Sequence, residues 1–103
     1  MQENQQAEEQ QEGAEPRLKV MVHNEDDGES YTLHVTRSET LAKAIERLYK
    51  DKLRLERQPD DRLRCESGGE DVFQFEGLTF KEYIEAGHCP ELNWLFAGGT
   101  GGA

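Results

Sequence analysis

Basic side chains are scarce in this chain: 12 Lys and Arg stand against 22 Asp and Glu, a net charge of −10. Phosphate binding needs clustered Lys and Arg, so nucleic acid and anionic membrane are poor partners, and basic docking surfaces suit better. No apolar run approaches the length of a membrane span. The first residues have neither a basic stretch nor an apolar core, so no secretory leader is expected. Cysteine occurs twice, at Cys65 and Cys89, too few for a disulfide framework. These absences point to a soluble, cytoplasmic protein, and 103 residues suffice for one domain.

Residues 1–16 are almost all Gln, Glu, Asn, Ala and Gly, with five acidic and no basic side chains. They contain no aromatic or β-branched residue and cannot bury enough surface to offset their ordering entropy. The expectation is a disordered acidic tail over 1–16, a folded domain over 17–97, and a flexible glycine-rich tail over 98–103.

Within the domain, Leu18, Val20 and Val22 alternate as one face of a first strand. Asn24 to Glu29 reads as a turn, with Gly28 free to take a positive φ. Tyr31, Leu33 and Val35 alternate in a second strand, completing an antiparallel hairpin. Ser38 or Thr40 can cap a helix running to about Lys50, with Leu41, Ala44, Ile45 and Leu48 on its apolar face. A charged segment leads to a short strand at Arg62–Cys65, and Val72, Phe73 and Phe75 form another short strand or a core contact. Thr79-Phe80-Lys81-Glu82 is a capping-box pattern for a brief helical turn. A last strand, Leu92 to Phe96, closes the domain. The order β-β-α-β-β-(short helix)-β predicts an α+β sheet of four to five strands with one helix packed across it.

That last strand runs directly into Ala97-Gly98-Gly99-Thr100-Gly101-Gly102, followed by Ala103. Glycine has no Cβ, so such a tail is thin enough to enter a narrow channel. Six residues reach roughly 20 Å when extended. The reactive group expected here is a glycine carboxylate.

Several local patterns, in this order, resemble the ubiquitin-like β-grasp proteins over roughly residues 18–102. Glu76-Gly77-Leu78-Thr79-Phe80-Lys81-Glu82-Tyr83-Ile84 resembles ubiquitin's Asp-Gly-Arg-Thr-Leu-Ser-Asp-Tyr-Asn. Tyr83 matches the tyrosine that braces that turn through the backbone. Arg62-Leu63 resembles the opening of the third strand, and Leu92-x-Trp94 the inward pair of the last one. The resemblance implies a mixed sheet and a modifier that is itself no enzyme. An activating enzyme would use ATP to adenylate the glycine carboxylate, and it and a conjugating enzyme would carry the chain as a thioester. A lysine of a target protein would finally take it as an amide, each covalent step lowering a barrier.

The sequence departs from ubiquitin in ways that shape this expectation. Ala103 masks Gly102, so the resemblance implies a precursor processed after Gly102, in bacterial versions often by a zinc-dependent JAB-type peptidase. Gly101 and Gly102 form the preferred conjugation pair, with Gly98 and Gly99 as the alternative, because cleavage after Gly102 leaves a tail close to ubiquitin's in length. The tail lacks ubiquitin's arginines, and Arg64 falls where ubiquitin has the isoleucine of its docking patch, beside Asn93 and Leu95. A dedicated bacterial or archaeal pathway is therefore expected. Leu95 is the chosen apolar residue for partner docking, and Met21 either joins it or is incidentally exposed.

Other candidates reduce to structure. Trp94, Phe80 and Tyr83 read as core. His88-Cys89 has neither metal-ligand spacing nor a nearby ligand set, so no metal site is expected. Lys19, Lys43, Lys50, Lys52 and Lys81 could accept a further modifier or simply be solvated surface. Two other functions remain open. A sulfur carrier would form a thiocarboxylate on its terminal glycine. A non-conjugated interaction module would not need the glycine tail.

Overall fold

The computed structural model describes residues 16–99. The expectations for residues 1–15 and for Thr100, Gly101, Gly102 and Ala103 lie outside the described residues.

Alternating side chains produce the predicted hairpin. Strand β1 (Leu18–Asn24) pairs antiparallel with β2 (Ser30–Val35), Val20 opposite Leu33 and Val22 opposite Tyr31. The connecting turn closes on Asn24, whose carbonyl accepts the Gly28 N–H at 2.8 Å and whose side chain accepts the Asp26 N–H at 2.9 Å. Gly28 takes φ +77°, a conformation that favours glycine.

Of the two candidate caps, Thr40 starts helix α1 (Leu41–Arg47), its side chain accepting the Lys43 N–H. The chain then widens into a π-helical segment, Leu48–Leu53, where the sequence predicts a plain helix to about Lys50. Leu48 and Leu53, five residues apart, are both buried, a spacing that suits i→i+5 bonding. Strand β3 (Arg62–Cys65) follows, then a 3₁₀ turn (Phe73–Phe75), helix α2 (Phe80–Glu85) and strand β4 (Asn93–Ala97).

The described residues form one four-stranded sheet in the order β2-β1-β4-β3, with β1 and β4 parallel and the other neighbours antiparallel. Val72 to Phe75 contributes no strand. Asp71 bridges Arg64, and its side chain then accepts the Phe73 N–H at 3.1 Å and turns the chain into the 3₁₀ geometry. The last strand begins at Asn93 rather than Leu92, because Leu92 sits at φ +54°. A buried leucine in that region is a strained backbone held by its surroundings. Its carbonyl accepts the Met21 N–H at 3.0 Å and starts the parallel ladder.

Helix α1 and helix α2 cover one face of the sheet. Val20, Val22, Leu33, Val35, Leu63, Trp94 and Phe96 meet Leu41, Ile45, Leu48, Phe80 and Tyr83 in one core. The Phe80 and Trp94 rings stack at 6.1 Å, and Tyr83 stands edge-on to Trp94 at 6.4 Å. The Tyr83 hydroxyl accepts a 3.3 Å bond from the Trp94 indole. Burial pushes the Tyr83 hydroxyl up to about 12. The capping box on α2 forms as the sequence predicts, Thr79 and Glu82 exchanging bonds of 2.9 and 3.2 Å.

Cys65 and Cys89 are joined in a disulfide. Two cysteines read in the sequence as too few for a disulfide framework, yet the fold brings these two, 24 residues apart, to a Cα–Cα distance of 5.8 Å. Cys65 faces Trp94 across the β3–β4 ladder, and Cys89 lies in the turn that delivers the chain to Leu92.

Candidate docking face and tail root

Side chains of odd-numbered β1 and β4 residues point away from the helices. Met21 stands opposite Asn93, His23 opposite Leu95, and Leu95 opposite Arg64. The sheet thus brings the four predicted partner-binding residues onto one surface, as two adjoining cross-strand pairs. Met21 is 40 % exposed and its sulfur accepts the Thr32 hydroxyl at 3.2 Å, whereas Asn93, Leu95 and Arg64 are half-buried. Arg64 donates to Glu25 at 2.9 Å, while its Nε is buried without a partner. Leu95 is less open than the sequence implies because its neighbours His23 and Arg64 stand on both sides of it. Leu55, 54 % exposed, is the large apolar residue that the sequence reading missed. It follows the left-handed Arg54, a backbone turn that no local pattern announces.

The five candidate acceptor lysines are all exposed and are not gathered: Lys19 lies on β1, Lys43 on α1, Lys50 and Lys52 on the π-helical segment and Lys81 on α2. His88 stacks on Phe75 at 4.0 Å, and its Nδ1 lies 3.0 Å from Glu70, a packing role. Among the described residues no group of three or more His, Cys, Asp and Glu could hold a metal ion.

Strand β4 carries the chain out of the sheet between two turns. Ala97 pairs with Arg62, and the next two residues are held by carboxylates from either side. Gly98 donates its N–H to Asp26 at 2.8 Å, and Gly99 donates to Asp61 at 3.1 Å. Asp26 belongs to the β1–β2 turn, while Asp61 closes a turn by bonding Gln58, N–H to carbonyl, at 3.1 Å. The other oxygen of Asp61 accepts the Gln58 N–H at 2.9 Å and the Tyr49 hydroxyl at 2.7 Å. Burial alone would raise the Asp61 carboxyl, but the bonds from Gln58, Tyr49 and Gly99 together hold it below its ordinary 3.8. Burial, and then that same bond, push the Tyr49 hydroxyl far above its usual range. Tyr49 also sets its ring edge-on against Phe96 at 5.7 Å, tying the π-helical segment to β4. Gly98 and Gly99, expected in a flexible tail, are therefore bonded to the domain.

No family model matches the chain, and no curated protein sequence matches it. Among solved structures it is similar to the solution structure of the UBL domain of yeast Ddi1. That likeness has a TM-score of 0.57 at 20 % identity and covers 81 % of this chain and 90 % of the other. The fold is that of a ubiquitin-like domain. In this fold the open sheet face carries Met21, Asn93, Leu95 and Arg64, and the tail root emerges at the end of β4.

Proposed function

We propose that the chain is a ubiquitin-like protein modifier, conjugated through Gly102 to amines on target proteins in a dedicated bacterial or archaeal pathway. The observation that supports this best is the exit of β4. A central strand leads out of the sheet into Gly98 and Gly99, and in the sequence these are followed by Thr100, Gly101 and Gly102.

In this reading a JAB-type peptidase first hydrolyses the Gly102–Ala103 bond and frees the carboxylate. That carboxylate attacks the α-phosphorus of ATP on an activating enzyme, and pyrophosphate leaves. A cysteine thiolate of the enzyme displaces AMP to form a thioester, and a conjugating enzyme takes the chain over by thioester exchange. A lysine amine of the target then displaces the thiolate and forms the isopeptide bond. The domain supplies the acyl group and the docking face, and it brings no cofactor of its own. The cascade belongs in the cytoplasm, where ATP is available. The Cys65–Cys89 disulfide pulls toward an oxidising compartment, since cytosolic thiols are kept reduced.

The test is to recover the chain, tagged at its N-terminus, from its native cells and to measure intact and peptide masses. Loss of Ala103 together with branched peptides ending in Gly102 supports the modifier. A thiocarboxylate mass at Gly102 would instead make it a sulfur carrier. A chain still carrying Ala103 and free of adducts would favour an interaction module, a reading supported by the Met21–Leu95–Arg64 face.

A further inference from the structure

We propose that Asp26 and Asp61 are positioning residues that dock Gly98–Gly99 onto the domain and so direct processing to the second glycine pair. The inference rests on the modifier reading and assigns the two Gly-Gly pairs different tasks. The first pair is a fixed root and the second is the substrate.

The geometry has three parts. First, both glycine N–H groups are already engaged, Gly98 by Asp26 and Gly99 by Asp61. A peptidase that binds an extended segment needs those same backbone groups for its own strand-like contacts. Second, the backbone at Gly99 is pressed against the neighbouring turn. A Cβ added there would lie 2.3 Å from the Asp60 carbonyl oxygen and 2.5 Å from its carbonyl carbon. Those are main-chain atoms that cannot swing aside, so only glycine permits this approach. Third, Asp61 is itself buried and fixed, with its remaining oxygen filled by Gln58 and Tyr49. The acceptor is therefore preorganised rather than recruited by the tail.

A diglycine in this position cannot lie in an enzyme channel while it is docked. While both bonds hold, Gly98 and Gly99 stay against the domain. Three residues such as Thr100, Gly101 and Gly102 can span at most about 10 Å, at about 3.3–3.6 Å per residue. Cleavage after Gly99 would need the root to peel away first, and the hydrogen bonds to two carboxylates oppose that.

Two measurements on the full chain test this without any partner enzyme. Amide exchange at Gly98 and Gly99 is followed by NMR. In parallel, a glycine-specific endopeptidase that cuts on the carboxyl side of glycine is the probe of bond access. In the unmodified chain the Gly99 amide exchanges on the order of 10- to 100-fold more slowly than an unstructured glycine, the range expected of a bond to a charged acceptor, and cutting occurs after Gly101 and Gly102 before it occurs after Gly98 and Gly99. Gly99→Ala removes that protection and opens the bond after Gly98. Asp26→Ala does the same for the Gly98 amide. Unchanged amide shifts for Val20, Trp94 and Phe96 verify that both variants remain folded. An unprotected Gly99 amide, or equal cutting after both pairs in the unmodified chain, would overturn the docked root and leave the modifier reading untouched. Protected amides with no Gly102 adducts in cells would do the reverse.

Discussion

Tyr49 and Asp61 join side chains at 2.7 Å beneath the point where the last strand leaves the sheet. The bond unites three otherwise separate pieces: the π-helical segment, the 58–61 turn and, through Gly99, the tail root. Asp61 would be a costly buried carboxylate without these partners.

Tyr49→Phe keeps the ring against Phe96 and deletes only the hydroxyl. It leaves a buried carboxylate oxygen with one partner fewer, which costs about 1–3 kcal/mol. Urea unfolding monitored by Trp94 fluorescence measures it. A midpoint identical to that of the unmodified chain would mean that water replaces the hydroxyl without loss.

The folded carboxyl of Asp61 is held below 3.8, so the charged form is favoured by folding. Its contribution to stability is therefore complete above the unfolded value and is lost as pH falls through the lower, folded one. Unfolding midpoints compared between pH 6 and pH 2 will drop over this range more in the unmodified chain than in Asp61→Asn. Equal slopes in the two proteins would show that other carboxylates carry the acid sensitivity.

Breaking the disulfide removes a constraint on a loop of 24 residues, worth about 3 kcal/mol in the chain-entropy model. The paired substitution Cys65→Ser and Cys89→Ser should lower the unfolding midpoint accordingly, and reductant should have no effect on that variant. Alkylation before reduction, on protein from native cells, reports the state in use. A fully oxidised pair there would argue against the cytoplasmic proposal.

Leu95→Ser on the open face should weaken partner capture by an order of magnitude or more, while costing stability only about 1 kcal/mol. Binding isotherms with a purified activating enzyme, alongside thermal melts, separate the two effects. Undiminished binding would move attention to the exposed Leu55.

Patterns of period two and the cap signals made most of the fold legible. The hairpin, the Thr79–Glu82 capping box, β3 and the aromatic core around Trp94 follow from local rules that their surroundings do not oppose. What stayed hidden depends on contacts distant in sequence. The π-helical widening answers to the burial of Leu53, and the Cys65–Cys89 link needs the β3–β4 pairing first. The open-face residues were legible because alternation fixes which side of a strand faces out. The docking of Gly98–Gly99 was not, because a glycine run in a sequence looks the same whether it is free or held. Its acceptors, Asp26 and Asp61, lie 72 and 38 residues upstream of the glycines they bind.

The parallel pairing of β1 with β4 also sets when a nascent chain can finish folding. The sheet's centre combines residues 21–24 with residues 93–96, so the strand synthesised last is the one that joins the hairpin to β3. Such distant pairing delays closure until nearly all of the chain has been made. A ribosome that stalls before codon 93 releases a hairpin and a helix without their keystone, open to quality control. Translation itself thus couples possession of the glycine run to possession of a complete domain, and a truncated product has neither.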